Sequence, residues 1–173
     1  MPRPTATIDS TCLIALESLD LLPKLSVFFD RVWIPKAVRE ETAKRHRRKQ
    51  RITAIINRYA FYERCEVADQ VRVELLLTGG VRSSQPKRHR GEAEAVIQAT
   101  ERGATTVLVD DPDGRGWAHS HRLECHGTIW VLRELRRIGV IPALEPMFRR
   151  LKRAGHRLPK PEINAVLRDF GED

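Results

Sequence analysis

Residues 105–111 read TTVLVDD, a run of five β-branched or apolar residues that ends in two aspartates. Such a run is typical of a buried β-strand. The same pattern occurs at residues 5–9, where TATI is followed by Asp9. Because the reactive groups of open parallel sheets lie beyond the carboxyl ends of the strands, we expect Asp9, Asp110 and Asp111 to lie at one edge of a sheet.

The rest of the chain alternates short strands with helices, which implies a mainly parallel sheet. We predict a three-layer α/β/α fold with helices on both faces of a central sheet. The 173 residues suffice for one domain with a buried core, which we assign to residues 1–147, and residues 148–173 are a helical extension packed on it. Further strands are predicted at 31–34, 63–67 and 124–125, a polar loop at 78–90, and helices at 11–18, 21–29, 35–45, 92–102, 115–122, 128–138, 144–153 and 161–170. Residues 70–77 fit either a helix or a strand, and we favour a helix.

Two glutamates fall in the helices that follow Pro35 and Gly91. Glu92 shares the apolar stripe of its helix, so its carboxylate is expected to point inward at the first turn. Glu94 lies on the polar stripe of the same helix and is expected to face solvent. Glu41 lies beside the apolar face of the earlier helix, whereas its neighbour Glu40 faces outward.

Each of these acids also has a purely structural interpretation. Asp9 can cap a helix, Glu92 can be favoured by the helix dipole, and Asp111 can initiate a turn. A buried cluster of carboxylates, however, costs several kcal/mol for each uncompensated charge, so it should persist only with a cation. Hard oxygen ligands select Mg²⁺ or Mn²⁺. The combination of acids therefore predicts a metal site.

The charge of the chain indicates a polyanionic partner. It has 31 Lys and Arg against 23 Asp and Glu, a formal charge of +8, which favours nucleic acid or an anionic surface. Two basic stretches, residues 44–51 and 87–90, adjoin the helices of Glu41 and Glu92, although a solvated helix face and a loop are the alternative interpretations. The residues that we expect to contact phosphates are Arg45, Arg47, Arg48, Lys87, Arg88 and Arg90.

Several other classes of protein are disfavoured. No apolar stretch approaches the ~20 residues of a spanning helix and no apolar signal core is present, so we expect a cytoplasmic protein without membrane contact. Three cysteines without short paired spacing predict neither a disulfide framework nor a zinc ribbon. The cluster of histidines and a cysteine at residues 119–126 does not match the spacing of common structural zinc sites.

The order of the motifs resembles a known family. The chain carries IDST at residues 8–11, IPKAVREE at 34–41, GEAEA at 91–95, LVDD at 108–111 and GT at 127–128. This order is similar to that of PIN domains, and within that family to the branch of VapC-type toxin ribonucleases. The resemblance covers about residues 5–147. It implies a PIN-like fold and metal-dependent endonuclease action on RNA.

The resemblance also implies roles for particular residues. Asp9 would be the first acid, Glu41 the second, Glu92 the third and Asp111 the fourth, and these four form the predicted catalytic set. One or two Mg²⁺ or Mn²⁺ ions would be held by Asp9, Glu92 and either or both of Asp110 and Asp111. A hydroxyl from Ser10 or Thr11 would lie near the metal.

The resemblance leaves the biological role open among three alternatives. A toxin would have RNA as substrate and an antitoxin protein as partner, and a homodimer is compatible with the sequence. A catalytically idle PIN-like domain that binds RNA or a regulatory partner would keep the fold and the basic surface. A PIN nuclease that matures ribosomal RNA or acts on DNA is the third alternative.

Overall fold

A five-stranded parallel sheet forms the centre of the computed structural model, which describes residues 3–43, 46–79 and 89–172. The strand order is β3-β2-β1-β4-β5, so the order reverses between β1 and β4. A reversal of this kind opens a crevice at the carboxyl ends of the two strands. The strands are β1 (Thr5–Ile8), β2 (Arg31–Ile34), β3 (Tyr62–Arg64), β4 (Thr106–Leu108) and β5 (Glu124–His126).

Helices cover both faces of the sheet, as the sequence predicts for a three-layer PIN fold. They are α1 (Ser10–Ser18), a 3₁₀ helix (Leu22–Val27), α2 (Lys36–Thr42), α3 (His46–Arg58), α4 (Gln70–Gly79), α5 (Arg90–Arg102), α6 (Pro112–Ser120), α7 (Thr128–Arg137), α8 (Glu145–Arg153) and α9 (Lys160–Asp169).

Two hydrophobic clusters lie on the two faces of the sheet, because alternate side chains of a strand point to opposite sides. Ile8 and Leu108 belong to the cluster that includes side chains of α1 and α7. Val107 and Val109 belong to the cluster that includes side chains of α4, α5 and α6. The Thr7 hydroxyl also donates to a backbone carbonyl of α5, which ties that helix to β1. The first turn of α5 is thereby fixed near the carboxyl ends of β1 and β4.

Most of the predicted elements are confirmed. The structure places β1, β2, β4, α4 and α5 within two residues of the predicted limits, and the left-handed Gly103 (φ 65°) ends α5. The segment predicted as a helix at 21–29 is instead a short 3₁₀ helix. The helix predicted to run to residue 45 ends at Thr42, with Ala43 as its C-cap, and residues 44 and 45 lie outside the described residues.

Two helices differ from expectation for identifiable reasons. α6 begins at Pro112 instead of residue 115, because the Asp111 side chain caps its first turn. α3 was not predicted, since its first residues are a dense basic run that hides the helical spacing. Its Ile52 and Ile56, four residues apart, are buried and hold the helix against the core.

The segment after Met147 shares the core of the sheet domain. Phe148 and Leu151 of α8 belong to the same buried cluster as side chains of α1 and α7. The Glu172 carboxylate, near the end of the chain, accepts from the Leu144 N–H at 2.6 Å and from Arg136 at 2.8 Å. Within the described ranges, no helix has the length and apolar character needed to cross a membrane.

Candidate metal centre and active site

Asp9 stands directly after β1 and is completely buried. Its Oδ1 accepts from the Cys12 N–H at 2.7 Å, so the carboxylate caps α1 as the structural alternative predicts. Its Oδ2 is inaccessible to water and has no hydrogen-bond partner among the described residues. Burial raises the pKa of Asp9 well above its ordinary value, and the charges of Asp110 and Glu92 raise it further. One carboxylate therefore caps a helix and still presents a free oxygen.

Glu92 lies in the first turn of α5 and is only 5% exposed, so its predicted inward orientation is confirmed. Its Oε2 is a second buried carboxylate oxygen without a hydrogen-bond partner in the described ranges. Burial raises the pKa of Glu92 to about 8, and the nearby charges of Glu41 and Asp111 contribute. A carboxyl group in this environment carries its negative charge at neutral pH only when a cation or a comparable donor stabilises it.

Glu41 reaches the same place from the last turn of α2. Its Oε2 accepts from the Ser10 hydroxyl at 2.5 Å, and its Oε1 accepts from the Gly91 N–H at 3.0 Å. A Cβ on Gly91 would lie 2.5 Å from Oε2 of Glu41, so only glycine allows this approach. Glu41 thus joins the start of α1 to the start of α5.

The two aspartates after β4 have different partners. Asp110 accepts from the Thr128 N–H at 2.8 Å and from the Thr128 hydroxyl at 2.6 Å, with the Arg115 guanidinium 3.9 Å away. Asp111 uses Oδ1 to accept from the N–H groups of Asp113 and Gly114, which confirms its role as a turn and cap residue. Asp110 therefore secures α7, and Asp111 initiates α6.

His89, Glu92 and Asp111 together form a group with the donor atoms of a metal site. One potential ligand atom from each of the three lies within 4.8 Å of the others. The sequence assigned His89 only to a basic stretch, and its spacing of three residues from Glu92 was the signal that could have identified it. The buried oxygens of Asp9 and Glu92, which have no hydrogen-bond partner in the part of the chain that the structure describes, suit a hard divalent cation.

A comparison with protein-family models then identifies the fold family. The model of the PIN domain matches residues 5–172. The chain belongs to the PIN-domain family. The match also includes the segment after Met147.

Comparisons with solved structures and with curated proteins add nothing to this family assignment. A solved structure described as VapBC2 from Rickettsia felis bound to a DNA fragment from their promoter is 11% identical, with a TM-score of 0.43. The similarity covers 71% of this chain and 98% of that one. No curated protein matches the chain.

The two residues predicted to place a hydroxyl near the metal, Ser10 and Thr11, lie at the start of α1. Ser10 is held by Glu41, whereas Thr11 is exposed. Both line a cleft of about 430 Å³ whose wall also includes Glu41 and Glu92. The cleft is further lined by Arg48 of α3 and by His156, which follows α8. The segment after Met147 thus contributes to the rim of this cleft.

The prediction that Glu94 faces solvent is wrong. Glu94 is 4% exposed, and its Oε2 accepts from the Ala37 N–H at 2.9 Å, at the start of α2. Its Oε1 accepts from Arg90 at 3.2 Å. The polar stripe of α5 predicted an exposed Glu94 because the spacing of residues along one helix does not show which other helices pack against it. In the fold α2 and α4 pack against α5, and Glu94 supplies an acceptor for the N-terminus of α2.

The predicted phosphate contacts are partly described. Arg48 lines the cleft, and its Nε lies 3.6 Å from the buried Glu17 carboxylate. Arg90 donates to three groups within the protein, Glu74 at 2.7 Å, Gln70 at 2.6 Å and Glu94. The predictions for Arg45, Lys87, Arg88 and the side chain of Arg47 lie outside the described part of the structure.

Proposed function

We propose that this PIN domain is a divalent-metal-dependent endoribonuclease that holds Mg²⁺ or Mn²⁺ at Asp9, Glu92 and the Asp110–Asp111 pair. The observation that supports it best is the pair of buried oxygens, Asp9 Oδ2 and Glu92 Oε2, which have no hydrogen-bond partner among the described residues. Adjacent buried carboxylates of this kind require a compensating cation. Oxygen donors favour Mg²⁺ or Mn²⁺ over softer metals.

The side chains of the chain itself would prepare the site for hydrolysis. A bound divalent ion would lower the pKa of a coordinated water and stabilise the charge that develops on the scissile phosphate. Asp9 is oriented by its bond to the Cys12 N–H, and Glu41 is oriented by Ser10 and Gly91. Glu41 would position the attacking water or contact the metal through water. The proposal needs no histidine or serine base.

Basic residues would provide affinity for the RNA backbone. Arg48 is at the cleft, and Arg45, Arg47, Lys87 and Arg88 neighbour the site in sequence. Because each neutralised phosphate releases counterions, RNA binding should weaken steeply with salt. Arg90 would act differently, since its three partners within the protein hold it beside Glu94.

The choice of RNA and of a toxin role rests on the order of motifs, which is similar to that of VapC-type toxin ribonucleases. We propose a cytoplasmic toxin whose antitoxin covers or occupies the acidic cleft, with a homodimer as the candidate assembly. Co-purification from the native operon should yield a bound protein, and expression of the free chain should inhibit growth. A free chain that purifies alone and leaves growth unchanged would contradict the toxin role.

Cleavage of a mixed panel tests the nuclease itself. Purified protein would be incubated with structured RNA, single-stranded RNA and single-stranded DNA, in Mg²⁺, Mn²⁺ or EDTA. We expect metal-dependent cutting that is selective for RNA. Glu41→Gln should reduce cutting, whereas the matched control Glu40→Gln, an exposed neighbour on α2, should not.

The other outcomes of the panel identify the alternatives. RNA binding without cutting in any metal, by protein confirmed to be folded, would indicate the catalytically idle RNA- or partner-binding domain. Preferential cutting of single-stranded DNA would indicate a DNA nuclease. Cutting confined to a structured ribosomal precursor would indicate a role in rRNA maturation and would count against a toxin.

A further inference from the structure

Within the described ranges, no hydrogen bond accounts for the position of the His89 imidazole. His89 precedes α5 as its N-cap residue, yet its side chain makes no capping hydrogen bond. Its Nδ1 is buried and has no hydrogen-bond partner among the described residues. A buried ring nitrogen without a partner loses the hydrogen bond that it makes to water in the unfolded chain. The Nδ1 atom of His89 is thus a potential metal ligand at the start of α5.

The surroundings of this nitrogen are those of a metal ligand. Nδ1 lies 3.7 Å from Oδ1 of Asp111, which is too long for a hydrogen bond. Two ligands of one ion, each at ~2.1 Å, lie roughly 3 to 4.2 Å from each other, so this separation suits a shared cation. Glu92 adds the buried Oε2, which also has no hydrogen-bond partner in the described ranges. One potential ligand atom from each of the three residues lies within 4.8 Å of the others.

The local structure explains why these three groups meet. His89 and Glu92 are three residues apart across the first turn of α5, so their side chains leave the same side of the helix. Asp111 lies beyond the end of β4, where it caps α6. α5 packs against both β4 and α6, which keeps the two helix starts adjacent. The cluster therefore follows from the fold and not from one flexible side chain.

We propose that His89 is a nitrogen ligand, through Nδ1, of the divalent ion that Glu92 and Asp111 also contact. The inference rests on the proposed metal-dependent function and deepens it, because it changes the class of metal that the site prefers. Mg²⁺ favours all-oxygen ligands, whereas imidazole suits first-row transition ions. The site should therefore bind Mn²⁺ more tightly than Mg²⁺. Coordination through Nδ1 requires the proton to reside on Nε2.

Pulsed electron paramagnetic resonance of Mn²⁺ bound to the full chain tests this ligand directly. Protein labelled with ¹⁵N only at histidine should show nitrogen coupling to Mn²⁺. The coupling should disappear in His89→Gln and persist in His156→Gln, the matched control, because His156 lines the cleft that includes Glu92. We also expect His89→Gln to weaken Mn²⁺ binding about tenfold or more and Mg²⁺ binding by much less. The labelled wild-type protein shows whether any histidine is a ligand, and the two variants show which one it is.

Each outcome separates this inference from the proposed function. Mn²⁺ binding without histidine coupling, or coupling that survives in His89→Gln, overturns the ligand and leaves the metal-dependent nuclease standing. Histidine coupling in a protein that cuts no RNA supports the ligand and overturns the nuclease. A wild-type chain that binds no Mn²⁺ overturns both the ligand and the metal site.

Discussion

The carboxyl ends of β1 and β4 have the same local design but different hydrogen bonding. In both places an aspartate follows a buried strand and caps the next helix. After β1 there is one aspartate, Asp9, and one of its oxygens has no hydrogen-bond partner among the residues that the structure describes. After β4 there are two aspartates with different partners. Asp111 caps α6, and both oxygens of Asp110 accept from Thr128. A shared strand–Asp–helix pattern thus yields one acid with an unused oxygen and one acid whose oxygens are both bonded.

This difference indicates which carboxylates can still bind a cation. A carboxylate whose oxygens both accept hydrogen bonds is stabilised by the protein, whereas a buried oxygen without a partner is not. Asp9 and Glu92 belong to the second kind, and both have raised pKa values. They should therefore be the most sensitive positions for metal and catalysis, and the pair after β4 should be less sensitive.

The largest effect is expected for Asp9→Asn. Asparagine keeps an oxygen that can accept from the Cys12 N–H but removes the charge that a metal needs. Metal-dependent RNA cleavage should fall by more than the roughly 10–100-fold that loss of an outer-shell partner costs. The unfolding temperature in EDTA should not fall, because asparagine has the same shape as aspartate and carries no charge that burial could penalise. Cleavage rates and thermal unfolding check both results, and activity near the wild-type level would remove Asp9 from the site.

The next largest effect is a pH dependence of stability that Glu92 controls. Its folded pKa is about 8, above the ordinary value of 4.5, so between these values the unfolded chain releases a proton that the folded chain retains. In EDTA the free energy of unfolding should therefore fall as pH rises from about 4.5 to 8, by on the order of a few kcal/mol. Asp9, whose pKa is also raised, contributes with the same sign.

Two controls sharpen that measurement. Glu92→Gln should flatten the decline in urea titrations across this pH range. Added Mn²⁺ should stabilise wild type most at the high end, because ligands bind metal in their deprotonated form. A free energy of unfolding that is independent of pH in EDTA would show that burial does not raise the pKa of Glu92 in the folded protein.

A smaller effect distinguishes the two aspartates after β4. Asp111 uses one oxygen for its cap and faces His89 and Glu92, whereas both oxygens of Asp110 are bonded to Thr128. Asp111→Asn should weaken Mn²⁺ binding about tenfold, and Asp110→Asn should weaken it less. Calorimetric titration of the two variants gives the comparison, and the reverse order would make Asp110 the metal ligand.

The smallest effect is expected at Gly91. A Cβ there would lie 2.5 Å from Oε2 of Glu41, so Gly91→Ala should displace that carboxylate from the N-terminus of α5. We expect cleavage to fall several-fold with a modest loss of stability. Gly116→Ala in α6 is the matched control, because nothing lies within 4 Å of its added carbon. Equal cleavage rates for the two variants would show that the position of Glu41 does not matter.

The sequence predicted the parts of the site that depend on local pattern. The ends of β1 and β4, the inward Glu92 and the capping roles of Asp9 and Asp111 all follow from strand runs, helical spacing and turn chemistry. The PIN-domain resemblance stated from the motifs is borne out by the family match.

The parts that sequence could not predict depend on contacts between distant segments. Glu94 was expected in solvent, but it accepts from Ala37, 57 residues away. Both oxygens of Asp110 accept from Thr128, and His89 lies 3.7 Å from Asp111 across two helix starts. The basic residues that open α3 concealed the spacing of Ile52 and Ile56. None of these partners can be identified from the periodicity of one element.

Anomalous scattering from crystals soaked in Mn²⁺ would show directly whether Asp9 and Glu92 bind the metal ion. The account predicts a single strong peak, or two adjacent peaks, within ligand distance of Oδ2 of Asp9 and Oε2 of Glu92. Crystals of Asp9→Asn should show a weaker peak at the same place. A well-occupied Mn²⁺ elsewhere, with both of these oxygens still without a partner, would contradict the account.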